Sequence, residues 1–162
     1  MSLLLRNLLW TILLPGTVAG WIPYFLLKSA GQKFPQTWEI GQVAGLAVFL
    51  VGLAILTWCI YDFATAGKGT LSPFDPARKL VVRGLYRFVR NPMYVGVLTI
   101  LIGESLFFQS RILAGYVAVV FIGFNLFVFL HEEPYLRGQF GEEYERYCKA
   151  VGRWIPGKPT CP

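Results

Sequence analysis

The stretch YVGVLTILIGESLFFQSRILAGYVAVVFIGFNLFVFL, Tyr94 to Leu130, decides the fold. It is two apolar runs, Tyr94–Phe108 and Ile112–Leu130, joined only by Gln109-Ser110-Arg111. So short a connector makes two helices fold back antiparallel. Arg90-Asn91-Pro92-Met93-Tyr94 opens the first run and His131-Glu132-Glu133-Pro134 follows the second, at similar distances from Ser110. With a rise of about 1.5 Å per residue, both polar segments reach the same depth at one edge of a bilayer. Cationic, amide, phenolic and carboxylate groups are thereby expected to meet where lipid gives way to water.

The rest of the chain agrees with a bilayer setting. It has 162 residues, 55% of them hydrophobic, with a mean hydropathy of +0.52. The apolar residues fall into blocks of the size that crosses hydrocarbon, about 20 residues each: Leu3–Leu27, Ile40–Ile60, Tyr94–Phe108 with its flanks, and Ile112–Leu130. The expected fold is therefore all-α: one polytopic membrane domain, 1–162, of about four transmembrane helices with interfacial and C-terminal cytoplasmic helices. Leu3–Leu14 has the early arginine and apolar stretch of a signal peptide. Its apolar run continues to Leu27 without a small-x-small cleavage site, so a retained first helix is expected.

Charge orients the chain. Lys68, Arg78, Lys79, Arg83, Arg87 and Arg90 lie in the loop 61–93; Arg137, Arg146, Lys149, Arg153 and Lys158 lie in the tail; Arg6 is near the start. With four spans all these fall on one side, leaving Lys28, Lys33 and Arg111 for the other. The positive-inside rule puts both termini and the large loop in the cytoplasm; a bacterial inner (plasma) membrane is a separate expectation that charge does not decide. The net charge of +6 then reads as attraction to anionic lipid headgroups rather than to nucleic acid. Cys59, Cys148 and Cys161 match no zinc or redox spacing, and a single histidine without a spaced acidic or cysteine partner argues against a metal.

Pro15 and Gly16 predict a kink in the first helix. Gly41, Gly45 and Gly52 form a small-residue stripe in the second that suits close helix packing, and Gly96 and Gly103 do the same in the third. Gly96, beside the polar cluster, could also admit a ligand. Lys79–Val89 alternates basic and apolar residues, predicting a short interfacial helix. Phe140, Tyr144, Tyr147 and Val151 share one helical face by spacing, and Trp154–Pro159 is expected to cap that helix and pack back on the membrane surface.

Glu132 and Glu133 can be read as border carboxylates. Adjacent helix positions diverge by about 100 degrees, however, so one can face the bundle while the other pairs with a neighbour. Asn125, seven residues earlier, shares the Glu132 face and can hydrogen-bond between helices. Asn91-Pro92 is a helix start with an amide cap. Tyr94 suits either the aromatic belt or a ligand, and Arg90 either lipid phosphate or a carboxylate. Glu104, near the outer end of the third helix, is expected to snorkel to water. Together the groups suit a ligand with anionic and cationic ends and an apolar or aromatic body.

Gly84–Gly96 (GLYRFVRNPMYVG), then Glu132-Glu133, then Phe140-Gly141-Glu142-Glu143-Tyr144 with Tyr147, resemble the isoprenylcysteine carboxyl methyltransferase and phospholipid methyltransferase superfamily. The likeness runs from Ser72 to Pro156; residues 1–60 match only as two generic spans, leaving 61–162 as the cofactor- and substrate-binding half. It implies an integral membrane methyltransferase that uses S-adenosylmethionine. Asn91, Tyr94 and Gly96, with His131, Glu132 and Glu133, would line the cofactor pocket. Arg90, Tyr144, Tyr147 and Arg153 would hold the methyl acceptor, a lipophilic molecule bearing an isoprenoid or fatty carboxylate, a phospholipid amine or a thiol. The carboxyl-methylating branch has histidine where Asn91 stands, which weighs against a prenylcysteine. The competing readings are an NADPH-dependent membrane reductase related to sterol reductases and a non-catalytic membrane scaffold.

Overall fold

The structure, a computed structural model, describes residues 13–66 and 80–156. They form helices with no strand among them; the extended backbone contributes one isolated parallel bridge, Val89 to Gly152. We label the helices α1 (Ile22–Ser29), α2 (Ile40–Ala66), α3 (Pro92–Phe107), α4 (Arg111–Phe127), α5 (Glu133–Phe140) and α6 (Glu142–Ala150).

Two π-helical turns interrupt the ladder, Thr17–Trp21 before α1 and Val128–Glu132 between α4 and α5. Both have one cause. Each is followed at once by a proline-containing first turn, with Pro23 and Pro134 lacking the amide hydrogen that an α-helix would use there. The residue before each proline bonds back to a carbonyl five positions earlier, Ile22 to Thr17 and Glu133 to Val128. The kink expected at Pro15-Gly16 is not where the irregularity falls: Gly16 has helical backbone, and the π turn begins at Thr17. Much of the first apolar block, 3–12, lies outside the described residues.

The closest helix pair is α2 with α3, packed through glycine. A methyl group on Gly45 would lie 2.8 Å from the Gly103 carbonyl oxygen, and one on Gly52 would lie 2.9 Å from that of Gly96. The four glycines pair off in antiparallel register and let the two backbones touch. On its other side α3 meets α4, so Leu56, Val97, Ile100 and Leu101 form a buried core with Tyr116, Val120 and Phe124 around it. The turn between α3 and α4 closes with Ser110 accepting the Leu113 amide.

Among the described residues, two segments are long and apolar enough to cross a membrane: Ile40–Asp62, with mean hydropathy 2.5, and Arg111–Phe140, with 2.4. Only 22% and 17% of an 18-residue apolar stretch within each is buried in the molecule, so the remaining apolar surface faces outward, as a lipid solvent requires. Helix α3 has 16 residues, about 24 Å at the helical rise, and is sheathed by its neighbours.

Three expectations need correction. Residues 80–83 are not helical; the segment is an extended lead into a 3-10 turn, Gly84–Arg87. Gly84 adopts φ +55° with its Cα against the Asp62 carboxylate, where any side chain would collide, and that reversal excludes an interfacial helix. Phe140 and Tyr144 sit on different helices, because Gly141 at φ +52° separates α5 from α6. Phe140 still packs on the cluster of Tyr144, Tyr147 and Val151. Finally, Glu104 does not reach water with both oxygens: its Oε2 is buried without a hydrogen-bond partner.

Candidate active site

The hairpin delivers its ends to one another. Tyr94, in the first turn of α3, donates its hydroxyl to Glu132 Oε2 at 3.0 Å, across 38 residues of sequence. The π turn ahead of Pro134 sets where the neighbouring carboxylates go. Glu133 is buried and bound through both oxygens by Arg153, at 2.7 Å from Nε and 2.9 Å from Nη2. Arg90 Nη1 stands 3.3 Å from the same Glu133 Oε1. Glu133 therefore ties two cations to α5, while Glu132 is left to a cavity.

That cavity, of about 90 Å3, is lined by Tyr86, Arg90, Asn91, Glu132, Tyr144 and Tyr147, with Leu80, Val81, Leu136 and Phe140 completing the wall. Arg90 Nε is buried without a hydrogen-bond partner, an unused donor on a residue that borders the space. Tyr147 donates to the Tyr86 carbonyl at 2.6 Å, which pins the 3-10 turn over α6. Burial pushes the Tyr86, Tyr144 and Tyr147 phenols well above their ordinary value of 10.0, so all three are neutral donors at physiological pH. For Tyr144 the neighbouring Cys148 adds to the upward push, and for Tyr147 the Tyr144 phenol does.

The chain after α6 straps the site shut. Arg90 donates its amide to the Gly152 carbonyl at 2.9 Å, and Asn91 Nδ2 donates to the Arg153 carbonyl at 3.2 Å. Trp154 donates its indole to Asn125 Oδ1 at 2.9 Å and lies near the rings of Tyr94 and Phe121. Asn91 occupies the cap position of α3 as read, but its side chain makes no cap hydrogen bond; it serves the strap instead. Asn125 likewise binds the tail through Oδ1, and its amide group bonds back to Phe121 within α4.

Of the residues singled out from sequence, Arg90, Asn91, Glu132, Tyr144 and Tyr147 border the cavity, and Tyr94 touches it through Glu132. Arg153 and Glu133 stand behind that group as an ion pair. Two residues are elsewhere. Gly96 faces α2, where a methyl group would be 3.0 Å from the Leu56 amide nitrogen; it is a packing position. His131 is exposed, with its ring by Phe127. Tyr86, Leu136 and Trp154 are additions from the fold. Trp154 had a sequence signal as part of a predicted cap, whereas Tyr86 was hidden in a stretch read as an amphipathic helix.

With this geometry in view, comparison with known proteins is informative. The phospholipid methyltransferase family model matches residues 40–143. The chain belongs to the phospholipid methyltransferase family. The match takes in α2, the hairpin and the start of α6, and so contains every cavity residue except Tyr144 and Tyr147. Among curated proteins, a probable protein-S-isoprenylcysteine O-methyltransferase of Oryza sativa subsp. indica is 28% identical over 128 residues, covering 76% of this chain and 65% of its own length. Protein-S-isoprenylcysteine O-methyltransferase B of Arabidopsis thaliana is 35% identical over 125 residues, covering 75% and 61%. The protein of the same function name from Schizosaccharomyces pombe is 34% identical over 82 residues, covering 48% and 33%. The chain thus spans less than two thirds of the length of these relatives.

Proposed function

We propose that this chain is an integral membrane methyltransferase that moves a methyl group from S-adenosylmethionine to a lipophilic acceptor. The observation that carries the reading is the Tyr94–Glu132 hydrogen bond beside a polar cavity in a chain of this family. On this reading about four helices span the bilayer. Residues 1–60 supply two spans, and 61–162 supply both binding sites, with the loop 61–93 and the tail on the cytoplasmic side.

The donor set suits the cofactor. Glu132 has one oxygen engaged by Tyr94, and its other can accept from an ammonium group or ribose hydroxyls. Arg90 has an unused buried Nε for a carboxylate. The neutral phenols of Tyr86 and Tyr144 present aromatic faces that favour a cation. The space does not yet suit it: about 90 Å3 is far below the roughly 300 Å3 at which small-molecule sites begin. Binding therefore requires α5 and α6 to move away from the Tyr86 turn.

When bound, the cofactor supplies an activated methyl on a sulfonium. The chain's task is alignment in a dry site, and orientation alone is worth about 7–11 kcal/mol of barrier. Tyr94 fixes the Glu132 carboxylate. Glu133 and Arg153 hold Arg90 in place, and the strap through Trp154 excludes water from that side. On this assignment Tyr147 and Arg153 remain for the acceptor, while Arg90 and Tyr144, given to the acceptor by the family resemblance, serve the cofactor instead. Family membership favours methyl transfer over an NADPH reductase or a scaffold.

Calorimetry in detergent tests the assignment. Wild type binds S-adenosylhomocysteine and not NADPH; Glu132→Gln and Tyr94→Phe weaken that binding about tenfold or more, the range for hydrogen bonds to charged groups. Unchanged affinity in both variants removes the site. Transfer of a labelled methyl group into a lipid extract then identifies the acceptor.

A further inference from the structure

Asn125 is the one hydrogen-bonding side chain between Val117 and Phe127, in the second half of α4. Its amide faces two ways. Nδ2 donates to the Phe121 carbonyl at 2.8 Å, one turn back, and Oδ1 accepts the Trp154 indole at 2.9 Å. An indole N–H can only donate, so the pairing has one sense. In an apolar stretch either partner is costly to leave unpaired.

Three successive residues tie the strap down. Gly152 and Arg153 do so through backbone carbonyls, which any residue offers, to Arg90 and Asn91. Trp154 uses its side chain, so this tie depends on the identity of the residue. Trp154 does not line the cavity. Its ring lies 6.3 Å from that of Tyr94 and 5.7 Å from that of Phe121, centre to centre, and Phe124 lies 4.6 Å from Tyr94. Aromatic pairs attract at these separations. The Tyr94 ring thus has one aromatic neighbour from α4 and one from the strap, while its hydroxyl donates to Glu132 at 3.0 Å. A phenol free to change rotamer would give up that hydrogen bond.

We propose that Trp154 is a positioning residue for methyl transfer: latched to Asn125, it holds the Tyr94 ring so that Glu132 keeps its free oxygen toward the cofactor. This role rests on the functional reading above and adds a residue outside the cavity wall.

A tail anchor alone would make the same contacts, so the test is the route of the effect. Calorimetry with S-adenosylhomocysteine in detergent compares the full chain with Trp154→Phe, Asn125→Leu and their double variant, each also in a Tyr94→Phe background. Trp154→Phe and Asn125→Leu are each expected to weaken binding about fivefold, the size of one hydrogen bond. Together they weaken it no further, because they break the same bond. In the Tyr94→Phe background neither adds anything, because both act through Tyr94. Effects that multiply in that background, or a lowered melting temperature with unchanged affinity, mean a structural anchor only and overturn the proposal. Asn125→Leu, with and without Tyr94→Phe, carries the test if Trp154→Phe fails to fold. Wild type that binds S-adenosylhomocysteine no better than the variants do removes the role of Trp154 alone. Wild type that does not bind it removes the functional reading, and this role with it.

Discussion

Glu132 and Glu133 are neighbours with opposite duties, and the difference is measurable. Glu133 is buried between Arg153 and Arg90. Removing one partner of a buried charge pair leaves the others uncompensated, at a cost of about 3–5 kcal/mol. Glu133→Gln should therefore lower the apparent melting temperature in detergent sharply, whereas Glu132→Gln should leave it nearly unchanged while weakening cofactor binding. Equal melting temperatures for the two variants would refute the division. The phenols give a pH signature. Tyr86, Tyr144 and Tyr147 hold their protons more tightly folded than unfolded. Their contribution is intact below pH 10 and declines above it, as the unfolded chain releases protons that the folded chain keeps. Melting scans should show stability flat from pH 7 to 9 and falling above 10, with a shallower fall in Tyr147→Phe.

At the scale of elements, the tightest seam is α2 against α3. Gly45 faces Gly103 and Gly52 faces Gly96, with backbone within reach of any added methyl. Gly45→Leu or Gly103→Leu should separate the pair and abolish a folded monodisperse peak in size-exclusion chromatography. Gly115→Ala, which meets nothing within 4 Å, should elute as wild type. The two π turns belong to this scale as well. By shifting the helix just before Pro134, the second one helps decide which carboxylate reaches Arg153 and which reaches Tyr94. Pro134→Ala restores the missing donor and should perturb S-adenosylhomocysteine affinity without a contact to the ligand.

For the whole molecule the decisive arrangement is relative to the bilayer. Two long apolar helices with most of their surface outward and basic residues gathered in the loop and tail predict a fixed orientation. In a cysteine-free background, Gln109→Cys should react with an impermeant maleimide added outside intact cells, and Gly138→Cys only after permeabilisation. The opposite pattern would put the site on the wrong side for a cytosolic cofactor. On the proposed function the cavity of about 90 Å3 must also widen to take the cofactor. The strap from Val151 to Trp154 and the helices α5 and α6 are the parts that can yield without breaking the glycine seam.

The sequence by itself determined the helical class, the hairpin and the meeting of its polar ends, because apolar run length and a three-residue connector leave a chain in lipid few alternatives. It also exposed the glycine stripe, whose spacing is periodic and local. Tertiary structure alone decided that Gly96 packs against Leu56 while Tyr86 lines the cavity, that Asn91 holds the strap rather than capping α3, and that His131 stands outside. Those outcomes depend on which faces meet across more than 30 residues of chain. A one-dimensional pattern gives the direction of a side chain within its own helix, but not what waits on the other side.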